Sequence, residues 1–297
     1  MIRRLRIEWP DPRPFAARDG RPIRWLAVSD QEEPALDFDA NRTALGRLDA
    51  IVGAGDLPPD YLGFLADAFR VPLLYVRGNH DHGGRWLESV RALSAAELPS
   101  GSIQDIDGLP VLTLEWPGIR HDDRQRHDGT AVLDVMRLAA ALLARRVTGR
   151  GGSAVVLSHA PPLGVGDGGD GKDDPYHVGF SAYRWLLDRV RPPLWLHGHV
   201  HPASVEAWRL DHDGTQVVNV TGAVLVEIVP PGTPLGGQLD GRDVQVEQVI
   251  ATGDADANPS ADRVRAEPPL EVGHALDRLA VDVEDEVAGA DATRSGG

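Results

Sequence analysis

The sequence predicts an α/β protein, because short apolar runs alternate with amphipathic stretches from Ile23 to Ile250, and most of the chemically active residues fall just past the end of one of those runs. Residues 23–28, 50–53, 72–76, 111–115, 154–157 and 194–196 are short, apolar and rich in Val, Ile and Leu, as buried strands are. Between them, residues 60–69, 131–146 and 181–190 carry apolar side chains at three-to-four spacing, which gives a helix one buried face. Residues 216–220 and 223–229 are β-branched and are split by Thr221 and Gly222. They read as a hairpin that adds antiparallel strands at the end of the sheet.

These limits divide the chain into an N-terminal extension (1–22), one large domain (23–251) and a tail (252–297). In the tail aromatic residues disappear and eleven acidic residues stand against four basic ones, a composition expected to be disordered. A short helix through Leu270, Leu276 and Leu279 is the alternative for part of it. No apolar run approaches the roughly 20 residues that cross a bilayer, and residues 1–14 lack the apolar centre of a signal peptide. A cytoplasmic protein without membrane contact is expected. There is no cysteine, so any metal must sit on His, Asp, Glu or Asn. The formal charge of −15 argues against duplex nucleic acid as a partner, since that binding relies on Lys and Arg at phosphates.

Five strand ends present metal-ligand residue types. Asp30 follows the first run, Asp56 the second, Asn79 and His80 the third, His159 the run at 154–157, and His199 and His201 the last. His199 and His201 are two apart, so both can project from one side of an extended segment. The local spelling resembles the calcineurin-like metallophosphoesterases: Ser29–Asp30; Gly55–Asp56; Gly78, Asn79, His80, Asp81; Ser158–His159; and Gly198, His199, Val200, His201. The resemblance spans roughly residues 24–227.

That resemblance implies a four-layer α-β-β-α sandwich of two mixed sheets and a dinuclear centre of divalent metals, Mn, Fe, Zn or Mg, with Mn favoured. It implies that Asp56 bridges the metals, that one also takes Asp30 and His201, and that the other takes Asn79, His159 and His199. A hydroxide bridging the metals would attack phosphorus, and His80 would act as general acid toward the leaving group or steady the transferring phosphoryl. Asp81 reads either as a turn former or as the residue that orients His80.

One position departs from the family pattern. The first motif usually has His two residues after its Asp, whereas this chain runs Asp30, Gln31, Glu32. Glu32 is therefore a candidate oxygen ligand, which would harden the first site toward Mn²⁺, Fe²⁺ or Mg²⁺ over Zn²⁺. Residues 160–164, Ala-Pro-Pro-Leu-Gly, resemble the branch that includes class III cyclic-nucleotide-type phosphodiesterases. The expected activity is therefore hydrolysis of a small phosphodiester, with phosphomonoester hydrolysis as the alternative and a catalytically silent scaffold as the alternative of another class. His177, in the Gly- and Asp-rich loop after His159, is a candidate substrate contact. His121 and His127 lie in a polar stretch that could overhang the site as a lid, and both read as solvent-facing.

Overall fold

The computed structural model describes residues 2–168, 177–201 and 208–234. In chain order the elements are β1 (Arg3–Glu8), α1 (Arg13–Ala16), β2 (Ile23–Ser29), α2 (Asp39–Ala44), β3 (Ala50–Gly53), α3 (Pro59–Phe69), β4 (Leu73–Tyr75), α4 (Gly84–Arg91), β5 (Ala95–Glu97), β6 (Ser102–Ile106) and β7 (Leu109–Leu114). There follow α5 (Asp128–Val147), β8 (Val155–Ser158), α6 (Ser181–Val190), β9 (Leu194–His197), β10 (Arg209–His212), β11 (Thr215–Asn219) and β12 (Gly222–Val229).

The strands form two six-stranded sheets, ordered β1-β12-β2-β3-β4-β5 and β10-β11-β9-β8-β7-β6. Both are mixed. In the first, β12 runs antiparallel to β2 while the other pairs are parallel; in the second, β6–β7 and β10–β11 are antiparallel.

The period of two along each strand sorts its side chains between separate cores. Trp25 and Ala27 of β2 and Val155 and Leu157 of β8 meet in the core between the sheets. The alternate residues Leu26 and Val28 pack outward with Tyr61, Leu62 and Leu65 of α3, and Val156 packs outward with Val135 and Leu138 of α5 and Leu186 of α6. The layers are thus helix, sheet, sheet, helix, the expected sandwich. Full burial on both faces explains why the central strands carry no polar alternation.

Local signals bound the helices that flank the sheets. Pro59 and Asp60 open α3, and the chain leaves it through Arg70 in a left-handed conformation, whose N–H bonds the Ala66 carbonyl. The long helix α5 has Asp128 in its first turn and Arg145 and Arg146 in its last, charges that oppose the helix dipole.

Two features differ from the expectation. Residues 216–220 and 223–229 are not a hairpin. β11 pairs with β9 and β10 in one sheet, while β12 lies between β1 and β2 in the other. Thr221 and Gly222, at φ 82° for the glycine, carry the chain from one sheet to the other. Two β-branched runs around a Gly have the same local pattern whether they pair or part. The residues before Ile23, set apart as an extension, supply β1, the edge strand beside β12, with Leu5, Ile7 and Trp9 buried between the sheets. The tail at 252–297 lies outside the described residues. Among the described residues, no helix is long and apolar enough to cross a membrane.

Candidate metal centre

The parallel strands β2, β3 and β4 of one sheet and β8 and β9 of the other end on the same side, so the loops after them converge. Three of the residues at these ends leave their strands in the left-handed region, at φ 59° for Asp30, 57° for Asp56 and 69° for His199. This conformation is uncommon for residues other than Gly, though Asp and His tolerate it better than branched residues do. It turns each loop sharply, so the side chains point across the gap between the sheets.

Two glycines allow the loops to touch. A Cβ on Gly78 would meet the Asp56 carboxyl carbon at 2.6 Å and His159 Cε1 at the same distance, and one on Gly198 would collide with Ser29 and Asp30. Only a residue without a side chain fits either place.

At the centre, the Asn79 Oδ1 atom lies 2.8 Å from His159 Nε2 and 3.1 Å from His199 Nδ1. Asp56 Oδ2 is 3.5 Å from His159 Nε2 and 3.9 Å from His80 Nε2, while Asp56 Oδ1 accepts the His80 backbone N–H at 2.7 Å. The Asp30 carboxylate accepts the His199 N–H at 2.9 and 3.1 Å and the Thr221 hydroxyl at 3.2 Å, and it is also bonded by the Ser29 hydroxyl. Ligand atoms of Asp30, Asp56 and His159 all lie within 4.8 Å of one another. His201 is exposed, with Nδ1 3.3 Å from Gln31 Nε2. The His177 ring stands 5.1 Å from that of His199 and 5.4 Å from that of His201.

The electrostatics show that this donor set suits cations. Burial raises the Asp30 carboxyl above the usual carboxylate range; His159 partly counters this and Asp56 adds to it. Burial also disfavours a charged His159 ring, but Asp56 and Asp30 outweigh it, so the imidazole holds its proton more tightly than usual. The ring needs that extra proton. Its Nδ1 lies 2.7 Å from the Ala54 carbonyl and its Nε2 faces Asn79 Oδ1, two acceptors, and a neutral imidazole has only one N–H. A divalent cation at Nε2 removes the conflict, with Asn79 Oδ1 and Asp56 as neighbouring oxygens and Nδ1–H still held by Ala54. Asp30, Asp56 and His159, with Asn79 and His199 beside them, are of the chemistry and placement to hold such ions, whereas His201 meets Gln31 and the His177 ring.

The remaining candidates take other positions. Glu32 is exposed and stands outside the group formed by Asp30, Asp56 and His159; its neighbour Gln31 approaches His201 instead. Asp81 is buried, and its Oδ2 accepts the backbone N–H of Asp56 at 2.7 Å and of Gly78 at 2.9 Å. It ties the β3 loop to the β4 loop and does not reach His80. Burial and the nearby Asp56 push this carboxyl up to about 7. His80 is exposed beside Asp56. His197, buried on the same face of β9 as Trp195, bonds the Gly198 carbonyl at 3.0 Å and is kept neutral by burial, down to about 4.

Several contributors were not singled out from the sequence. The Trp116 ring backs His199 at 4.9 Å and His159 at 6.0 Å. Trp116 sits just past β7, so the strand-end rule that located the other residues also marks it. The segment after it, residues 117–127, arches from the loop that follows His80 to the loop that carries His177. Gly83 N–H bonds Asp122 Oδ1 at 3.0 Å, and Arg126 donates to the Val178 and Gly179 carbonyls at 2.8 and 2.9 Å. Within it His121 is exposed and His127 half-buried, their rings stacked 4.0 Å apart.

A family model described as calcineurin-like phosphoesterase matches residues 38–203, more than half the chain. Among solved structures, a Staphylococcus aureus protein described as a 5'-nucleotidase, in complex with alpha-ketoglutarate, is 14% identical with a TM-score of 0.46, over 68% of this chain and 49% of that one. A Thermus thermophilus protein is 16% identical with a TM-score of 0.46, over 68% of this chain and 90% of that one. The chain thus spans about half the length of the first of these two. No curated protein matches it. The family match covers the loops that bring Asp56, Asn79, His159 and His199 together, and the chain belongs to the calcineurin-like phosphoesterases, hydrolases of phosphoric esters that work with bound divalent metal ions.

Proposed function

We propose that the protein is a phosphodiesterase whose dinuclear centre is held by Asp30, Asp56 and His201 on one side and by Asp56, Asn79, His159 and His199 on the other. The observation that carries this is the meeting of Asn79 Oδ1 with two imidazole nitrogens at 2.8 and 3.1 Å beside the Asp56 carboxylate, where no neutral tautomer of His159 satisfies both of its acceptors. Divalent cations, when bound, supply Lewis acidity toward the phosphoryl oxygens and acidify a water.

The chain's own residues do the rest. Asp56 is the carboxylate shared by both sides. The Ser29 and Thr221 hydroxyls and the His199 N–H hold Asp30 in orientation, and the Ala54 carbonyl holds His159. Trp116 excludes water behind the imidazoles of His159 and His199. His80, exposed and anchored by its N–H to Asp56, is placed to give a proton to the departing oxygen or to steady the phosphoryl charge. His177 faces the His199 and His201 rings and is read as a substrate contact. Glu32 is left out of the ligand set.

The preference for diesters rests on the resemblance of residues 160–164 to the phosphodiesterase branch. Mn²⁺ is the first metal to load, and a cytoplasmic location belongs to the same reading. The test is turnover of bis-p-nitrophenyl phosphate and p-nitrophenyl phosphate by Mn²⁺-loaded protein, beside His80→Ala. Diester turnover that exceeds monoester turnover and drops at least a hundredfold in the variant is expected. Background activity with both metals bound would sink the enzyme reading, and monoester preference would sink the diester one.

A further inference from the structure

The arch at residues 117–127 presents one cation at the His80 side of the site. Its ends are fixed at several points. Trp116 N–H bonds the Arg77 carbonyl at 2.8 Å, Trp116 Nε1 bonds the Gln125 carbonyl at 3.1 Å, Arg120 pairs with the buried Asp134, and Arg126 clamps the 178–179 carbonyls while lying 4.2 Å over the Phe180 ring. Between these anchors stands Arg124, exposed, with Nε donating to His82 Nε2 at 3.0 Å. His82, two residues after His80, has its other nitrogen 3.9 Å from Asp122. An acceptor at Nε2 means that the proton sits on Nδ1, facing Asp122, so the ring and the carboxylate buttress the guanidinium from behind.

Only one of the five N–H groups of Arg124 is used. The four on its terminal nitrogens have no partner among the described residues. A guanidinium edge held from behind and open in front has the geometry that binds a carboxylate or phosphate through two parallel hydrogen bonds. It is also opposite in sign to a chain of net charge −15, which otherwise repels anions.

We propose that Arg124 binds a second anionic group on the leaving portion of the substrate, so that the enzyme favours phosphoesters whose leaving group carries a carboxylate or phosphate. The proposal rests on the reading of His80 as the residue facing the leaving group. Because the arch is fixed before substrate arrives, little ordering entropy is lost when the anion docks.

The test uses Mn²⁺-loaded protein and two chromogenic diesters matched in shape, phenyl 3-carboxy-4-nitrophenyl phosphate and its neutral 3-carbamoyl analogue. In Arg124→Ala the ratio of kcat/KM for the carboxylate over the carbamoyl ester is expected to fall about tenfold, through KM, which equals about 1.4 kcal/mol. Arg124→Lys, which keeps the charge without the fork, should restore part of that ratio. Calorimetry with the released 5-hydroxy-2-nitrobenzoate should show the same tenfold weakening in Arg124→Ala. A ratio that moves less than about twofold, or an equal loss on both esters, overturns the proposal while leaving the hydrolase intact. Failure of the wild-type protein to cleave either ester brings down the diesterase reading and the proposal with it.

Discussion

Replacing Asp81 separates two roles for a residue that lies beside His80 in sequence but behind it in space. In the folded protein its Oδ2 is the acceptor for two backbone donors, Asp56 N–H at 2.7 Å and Gly78 N–H at 2.9 Å, and the side chain is 2% exposed. Asp81→Ala removes the acceptor and leaves both N–H groups buried without a partner. Each such group costs about 1–3 kcal/mol, so the expected loss is about 2–6 kcal/mol, a large share of a typical folding free energy of about 5–15 kcal/mol. Asp81→Asn keeps an oxygen at the same place and should lose about 2 kcal/mol or less. The same loops carry Asp56 and Asn79, so metal affinity should fall in the same order, Ala more than Asn. Urea denaturation of the metal-free proteins, followed by Mn²⁺ titration by calorimetry, measures both. If Asn loses as much stability as Ala, or if Ala loses less than about 1 kcal/mol, the loop-tying role is wrong. A drop in kcat for Asn with stability and metal affinity intact would instead make Asp81 the partner that orients His80.

Other outcomes follow from the same geometry. Gly198→Ala places a Cβ against Ser29 and Asp30 and should destabilise the fold by about 1–3 kcal/mol while abolishing measurable diester turnover, read by thermal melting and the bis-p-nitrophenyl phosphate assay. Glu32→Ala removes an exposed side chain outside the cluster; bound Mn²⁺ per chain by elemental analysis and kcat/KM should stay within about twofold of wild type, and loss of one metal would return Glu32 to the ligand set. Glu115 is raised to about 6 from 4.5 by burial, partly offset by Arg77 and Arg120, so the folded state holds this proton more tightly than the unfolded chain. Its stabilising effect is full below pH 4.5 and is lost as pH rises through 6, a fall of about 2 kcal/mol that should flatten in Glu115→Gln when denaturation midpoints are followed across that window. Removing metal with a chelator should lower the melting temperature, and Mn²⁺ at about a hundred times its dissociation constant should restore about 2.7 kcal/mol; a melting curve indifferent to metal would contradict the dinuclear centre.

Much of this architecture is readable from local pattern, because the central strands are buried on both faces and so appear as uninterrupted apolar runs. The runs at 23–28, 50–53, 154–157 and 194–196 coincide within a residue with β2, β3, β8 and β9. Residues placed just past them gather at one edge for the same reason, since parallel strands end together. Where pattern failed, the deciding contact was distant in sequence. The β11 and β12 runs would pair if only their own residues mattered, but β9 and β2 compete for them from opposite sheets. Arg3–Glu8 alternates charged and apolar residues as an exposed arm also would, until β12 pairs with it.

The candidate centre divides in the same way. The amino-acid order by itself determined which residue types stand at the strand ends, and with them the family and the layered fold, on which the proposed metal-dependent attack on phosphoesters rests. Only the tertiary structure decided what each side chain faces: that Gln31 and not Glu32 approaches His201, that Asp81 turns back to bind the Asp56 and Gly78 amides, that Trp116 backs the histidines, and that Arg124 donates to His82. The physical reason is that strand identity depends on neighbours one and two residues away. The direction of a loop side chain depends instead on backbone angles such as the left-handed turns at Asp30, Asp56 and His199, and on partners tens of residues distant, which no local pattern records.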